Sequence, residues 1–304
     1  MPGLSAVFRM GVSFALISTN CTDLRAQDLE PRIYANTPKG MNAVAAVYAY
    51  VNGNVVTDPS LPVEDFKISS HNIGLAYVRT FGFFKKLSRV QISLPYTMMN
   101  GNLKINGKDT SGARNGFNDM RIRLSVNVIG SPALDKKDFR FFQQKTIFGV
   151  SLVTSVPTGL YYPEKRINLG AHRWGFKPEI GLSHRSKRFY IEGYTGVWFY
   201  TNNNQFLSNK TLEQNPVFSI QAHASYYFKN QMWVGINGNW FDGGQTTVDE
   251  VPAGDLKDNW RFGATWSVPL GKFHSLKLQY HTGAFTKSGL DYDMISVSYQ
   301  YIFF

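Results

Sequence analysis

The sequence predicts an all-β chain that closes into a transmembrane antiparallel up-and-down β-barrel of about twelve strands. Three observations predict it. Hydrophobic residues make up 43% of the 304 positions, yet no stretch approaches the roughly eighteen consecutive apolar residues that a spanning helix needs. From Met41 onward the helical period is nearly absent; segments of about ten residues alternate apolar with polar positions between turn residues. The chain also carries 16 Tyr, 23 Phe, 6 Trp and 27 Gly, an enrichment that suits strands whose rings sit at membrane interfaces.

The N-terminus reads as an export signal. Arg9, the mostly apolar run from Met10 to Thr19 and small residues near Ala26 make a secretory leader. Cleavage after Ala26 leaves Gln27-Asp28-Leu29-Glu30-Pro31-Arg32 as the mature start, although Leu24 stands where a small residue is preferred. Ser18-Thr19-Asn20 is a poor lipobox, so Cys21 is expected to leave with the leader rather than to carry lipid. The expected organisation is therefore a signal peptide over 1–26, a periplasmic N-terminal segment over 27–40 and the barrel over 41–304.

Twelve strands are expected to start near residues 41, 71, 88, 119, 146, 175, 189, 216, 231, 259, 275 and 293. The third turns Val90, Ile92, Leu94, Tyr96 and Met98 one way, against Arg89, Gln91, Ser93 and Thr97. The fourth sets Ile122, Leu124, Val126 and Val128 against Arg121, Arg123, Ser125 and Asn127. Trp260, Phe262, Ala264, Trp266 and Val268 oppose Arg261, Gly263, Thr265 and Ser267, and the last segment alternates Ile295, Val297, Tyr299, Tyr301 and Phe303 with serines and Gln300. An even count lets both termini face the periplasm. Connections after strands 2, 6, 8 and 10 are short, and those after 1, 3, 5, 7 and 9 are long and polar, as periplasmic turns and outer loops should be. Two break the rule: Pro132 to Gln144 is long and has room for a short helix, and Ser288-Gly289 is short for an outer loop.

A soluble β-sandwich would alternate in the same way, with its apolar face turned inward. The leader, the strand length of about ten residues and the terminal Tyr299-Gln300-Tyr301-Ile302-Phe303-Phe304 favour the barrel. A last strand ending in Phe304 resembles the signal read by the barrel-assembly machinery, although here the apolar set finishes on Phe303, one residue early.

Charge and motifs narrow the function classes. The net charge of +11 comes without a basic helix, a zinc spacing or a compact basic run, so nucleic acid is not an expected partner. The six His are scattered, with no His-Glu-x-x-His spacing. Asp242, Asp249, Glu250, Asp255 and Asp258 share a loop but lack a twelve-residue calcium pattern, and nothing names a cofactor.

Asp28-Leu29-Glu30-Pro31-Arg32, Tyr34 and Pro38-Lys39-Gly40 resemble the start of a family of bacterial outer-membrane proteins assigned to phenol degradation as transporters. The resemblance continues through Gly116-Phe117-Asn118-Asp119, Pro157-Thr158-Gly159-Leu160-Tyr161, Asn168-Leu169-Gly170, Arg173-Trp174, Gly196-Val197-Trp198-Phe199-Tyr200 and Asp242-Gly243-Gly244. It implies a twelve-strand barrel in a Gram-negative outer membrane and passage of small organic, aromatic molecules. Outer-membrane lipid and lipopolysaccharide are the expected surroundings; the loop residues Lys104, Lys108, Arg114, Lys165, Arg166, His172 and Arg173 read first as solvated loop charge, with contact to surface-lipid phosphates or an anionic ligand as the alternative.

Face assignment puts Arg89, Gln91, Arg121, Arg123, Lys177, Glu179, Glu192, His223, Arg261 and Lys277 on the lumen side. Their excess of cations would favour anionic solutes, as in a porin-like channel. Two other readings stand beside it. One is a plugged structural barrel that works through its loops. The other is a lipid hydrolase using Ser225 and His223, two apart on one strand face. Against the second, the pair shares a face with Gln221, and no Gly-x-Ser-x-Gly elbow occurs.

Overall fold

The structure is a computed structural model that describes residues 29–56, 63–105 and 107–304; the expected leader over 1–26 lies outside them. In chain order the strands are β1 (Asn42–Val56), β2 (Val63–Phe83), β3 (Lys86–Ile105), β4 (Lys108–Phe117), β5 (Met120–Ile129) and β6 (Thr146–Val156). There follow β7 (Gly175–Ser186), β8 (Phe189–Tyr200), β9 (Asn203–Phe206), β10 (Lys210–Gln214), β11 (Val217–Tyr227) and β12 (Trp233–Gly243). The last are β13 (Thr246–Val248), β14 (Val251–Pro252), β15 (Lys257–Pro269), β16 (His274–Thr286) and β17 (Gly289–Phe303).

Twelve of these form the wall, in the order β1, β2, β3, β5, β6, β7, β8, β11, β12, β15, β16, β17. The sheet closes because β1 pairs antiparallel with β17 from Asn42↔Phe303 to Val56↔Gly289. Closure leaves no unpaired wall edge, which a bilayer would penalise by several kcal/mol per orphaned backbone group (about that much for each). A wall strand needs only about 9–11 residues to cross; β2 and β3, with 21 and 20 residues, run on past the membrane and carry β4 as a projecting hairpin. β9, β10, β13 and β14 form a separate four-stranded sheet in the outer loops.

Alternation fixes the faces. Leu124 is 51% exposed beside Arg123 at 5%, and Ile236 is 69% exposed beside Asn237 at 4%. The outside is apolar and the inside polar, the inverse of a soluble sandwich. Periplasmic turns are tight: Phe84 and Lys85 between β2 and β3 both take positive φ (46° and 61°), the handedness that follows strand twist in a two-residue turn. The longer 130–145 connection holds a single helical turn, α1 (Lys136–Phe139), as its length suggested. The short outer connection between β16 and β17 is a real hairpin, so the count of twelve stands.

One expectation needs correction. The segment placed outside the barrel as a periplasmic tail, 27–40, enters the barrel in its described part: Leu29, Arg32, Tyr34, Ala35 and Thr37 have no exposed surface. Sequence polarity alone could not show this, because the partners that hold the segment lie 40 to 191 residues away.

Candidate functional site

Residues 29–40 form a strap that runs from the periplasmic mouth up into the lumen. A buried segment outside any sheet must find partners for its backbone groups, and wall side chains supply them. The amide of Arg32 donates to Glu192 Oε2 (2.8 Å) and that of Glu30 to Gln221 Oε1 (3.3 Å). Arg89 donates both terminal nitrogens to the strap, to the carbonyls of Ile33 and Ala35 (2.8 Å for the second). Asn127 donates to Tyr34 O (3.2 Å) and Thr80 to Pro38 O (2.7 Å), while the amides of Lys39 and Gly40 donate to Leu134 O and Thr80 O.

Side chains lock the strap from its own side. Arg32, in a left-handed conformation (φ 72°), pairs with Glu192 at 3.3 Å and lies 3.7 Å over the ring of Tyr190. Glu30 pairs with Arg123 (3.3 Å), which also binds Glu179 (2.7 Å). Tyr34 hydrogen-bonds Ser151 (3.1 Å). Its ring fits between two glycines paired across the wall, Gly149 and Gly181. A Cβ at either would lie 2.2 or 2.1 Å from ring carbons of Tyr34, so both positions are cleared for this side chain. Below it, Ala35, Met41, Tyr190, Tyr227, Trp233 and Ile302 belong to one apolar cluster at the periplasmic end.

Of the residues assigned to the lumen from sequence, Arg89, Arg123, Lys177, Glu179, Glu192, His223, Arg261 and Lys277 are buried inside the barrel, while Gln91 and Arg121 are half-buried. Arg89, Arg123 and Glu192 grip the strap directly. Lys177 pairs with Glu179 at 2.7 Å, and Arg121 sits 5.9 Å from the ring of Trp198. Arg261 stands apart: it covers Tyr292 at 3.4 Å and donates to Leu290 O (2.7 Å). The strap residues Arg32 and Tyr34 were missed as lumen groups. The signal available was the pair of glycines, Gly149 and Gly181, interrupting otherwise apolar and polar strand patterns.

The strap leans on β2, β3, β5 to β8 and the edge of β11. The remaining arc of wall sets Arg261 and Lys277 among neutral polar groups, of which Ser219 Oγ, Ser225 Oγ, His223 Nε2, Gln279 Nε2, His281 Nε2 and Gln300 Nε2 are buried with no hydrogen-bond partner among the described residues. His223 Nδ1 is taken up by Asn237 Oδ1 (2.8 Å), which leads on to Thr265. The hydrolase pair is therefore not assembled: His223 and Ser225 share the inner face but are not bonded to one another, and both are only 3% exposed.

At the outer end a cavity of about 360 Å³ opens beneath loop 157–174. Val51, Ile68, Met99, Leu169 and Leu290 give it apolar walls, and Ser70, Asn72, Thr97 and Asn118 a polar floor. Thr97 Oγ1 lies 2.6 Å from Asn72 Oδ1 and 2.8 Å from Asn118 Oδ1, binding the floor together. The loop above is pinned by Asp119, whose carboxylate accepts the amides of Gly159 (2.9 Å) and Ala171 (2.8 Å). Gly159 and Gly170 let the two backbone stretches touch: a Cβ at either would lie within 2.7 Å of the other or of residue 118–119 backbone. This contact ties the Pro157-Thr158-Gly159 and Asn168-Leu169-Gly170 blocks to Asp119. Among the described residues no group of three His, Cys, Asp or Glu side chains is placed to hold a metal.

The architecture has parallels among solved structures. An outer membrane channel from Pseudomonas putida F1 superimposes with a TM-score of 0.77 at 17% identity, over 91% of this chain and 100% of that one. The transport unit of the autotransporter AIDA-I from Escherichia coli gives 0.52 at 9% identity, over 92% and 94%. The β domain of the Bordetella autotransporter BrkA gives 0.50 at 12%, over 87% and 100%. At such identities the likeness is one of fold. No curated protein matches the sequence. A closed barrel with a lipid-facing apolar exterior resides in the Gram-negative outer membrane. The family described as "Putative MetA-pathway of phenol degradation" matches residues 44–290, most of the chain, and this outer-membrane barrel belongs to it.

Proposed function

We propose that the chain is an outer-membrane channel or transporter for small solutes, held shut at its periplasmic mouth by the strap. The observation that carries this reading is the unpartnered polar arc beside the strap. Buried polar atoms without a protein partner line this arc and also stand around the strap (Asn36 Nδ2, Thr37 Oγ1, Tyr194 OH), so the lumen offers donors and acceptors to water or solute rather than satisfying them internally. An apolar cluster closes the way below it, as a hydrophobic constriction gates a pore. Passage requires the strap or that cluster to move. The interior cations Arg32, Arg89, Arg121, Arg123, Lys177, Arg261 and Lys277 outnumber Glu30, Glu179 and Glu192, which supports a preference for anions.

The outer cavity supports the finer reading, a small aromatic organic solute. Its volume of about 360 Å³ is at the lower end of the size of small-molecule pockets, and apolar walls over a few hydrogen-bonding groups are how such pockets are built. The test is single-channel recording of the refolded chain with and without residues 29–38. Discrete steps that grow on removal of the strap support a gated channel. Silence from both forms, each shown to be a folded, heat-modifiable barrel, sinks it and leaves the plugged structural barrel.

A further inference from the structure

The charge of the molecule is divided between its two ends. The periplasmic connections 83–87, 130–145, 185–188, 228–232 and 270–274 contain eleven Lys or Arg and two Asp. The outer connections 52–69, 100–118, 158–173, 201–215, 242–258 and 287–288 contain ten Lys or Arg and eleven Asp or Glu. The net positive charge of the chain is therefore concentrated in a ring at one mouth. Lys85, Lys86, Lys137, Lys187, Arg188 and Lys229 in this ring are all exposed. Of its two carboxylates, Asp135 is already paired with Lys39 at 3.1 Å.

Apolar rings stand among these cations. Phe84 is 83% exposed and Phe141 65%; Phe83 and Phe84 meet edge to face, and Arg140 lies 4.4 Å over Phe141. Lys136 lies 4.0 Å from the ring of Phe304 and 5.4 Å from that of Phe273. Exposed Phe beside Lys and Arg is the composition of a membrane interface: the ring enters the acyl boundary and the cation stays at headgroup level. The periplasmic leaflet of an outer membrane is phospholipid, so the groups facing this ring are phosphates.

We propose that the basic, Phe-studded periplasmic rim is a binding surface for anionic phospholipid headgroups. The rim selects phosphatidylglycerol-type lipids over zwitterionic ones around the barrel's lower edge, through Lys85-Lys86, Lys136-Lys137, Arg140 and Lys187-Arg188. An acidic periplasmic protein would match the charge but not the exposed rings of Phe84 and Phe141. The surface is independent of conduction.

The chain, refolded into phosphatidylcholine vesicles, is probed by electron spin resonance with spin-labelled phosphatidylglycerol or phosphatidylcholine. The motionally restricted fraction is expected to favour the anionic label by about threefold at low salt and to lose that preference near ~1 M NaCl, where the screening length falls to about 3 Å. Neutralising the turns (Lys85→Gln, Lys86→Gln, Lys187→Gln, Arg188→Gln) brings the ratio close to one. An outer-loop set (Lys104→Gln, Lys108→Gln, Lys165→Gln, Arg166→Gln) leaves it as in the parent. Should the fourfold variant not fold, Lys187→Gln/Arg188→Gln alone still lowers the ratio. A parent ratio of one overturns the proposal, as does an equal loss from the outer-loop set. Binding of a polyglutamate peptide to the rim without any lipid preference would also overturn it and assign the rim to an acidic protein.

Discussion

Replacing Glu192 with Gln tests the strap as a closure rather than a fixed part of the wall. Glu192 receives the amide of Arg32 at 2.8 Å and its guanidinium at 3.3 Å, and neither side chain is exposed. Gln keeps the shape and one acceptor but removes the charge, leaving a buried guanidinium with two tyrosine rings and no carboxylate. Loss of a hydrogen bond to a charged partner costs about 1.5–3 kcal/mol, and complete loss of one partner of a buried ion pair costs about 3–5 kcal/mol. Because Gln is the milder change, about 2–3 kcal/mol is expected to fall on the docked state. At about 1.4 kcal/mol per tenfold, the undocked population rises roughly 30- to 150-fold. The readout is the rate at which a charged thiol reagent modifies Ala35→Cys, a position with no exposed surface, in the mature chain. Conductance is recorded in parallel. A labelling rate within about threefold of the parent, from a barrel shown to be folded, would refute the idea that this ion pair holds the strap.

The other predictions probe separate contacts. Gly149→Val should displace Tyr34, since even a Cβ there would lie 2.2 Å from the ring; Ala35→Cys labelling should rise, and adding Tyr34→Ala should reverse the loss of barrel stability seen on heating, whereas Gly193→Ala, with nothing closer than 3.9 Å, should change neither. Asp119→Ala removes the acceptor for two loop amides at about 1–3 kcal/mol each, so trypsin should cut at Lys165 or Arg166 at least about tenfold faster, followed by mass spectrometry; unchanged cutting would mean that the loop is held elsewhere. Lys277→Gln should lower the anion-to-cation permeability ratio measured from reversal potentials in a salt gradient, and an unchanged ratio would remove Lys277 from the solute path.

How the sequence relates to the structure differs between wall and interior. Every wall strand was legible because lipid and lumen impose a strict period of two, and a slip of one residue would turn each side chain to the wrong medium. Ile122, Leu124, Val126 and Val128 on one side and Arg121, Arg123, Ser125 and Asn127 on the other needed no tertiary information. The same period assigned Arg89, Arg123, Glu179, Glu192 and Lys277 to the inside. The loop motif was legible as a pattern but not as a mechanism: nothing local shows that Gly159 and Gly170 must be bare so that Asp119 can reach both amides.

The twelve-strand count and the inside and outside of the wall were determined by sequence, since each follows from side chains one or two positions apart. What the interior holds was decided only by tertiary structure. The strap has no period of its own, and its backbone partners come from β2, β3, β5, β8 and β11, brought together only when β1 meets β17. An irregular segment is stable inside a barrel only if distant residues supply every donor and acceptor it lacks, and that supply exists only in the closed wall.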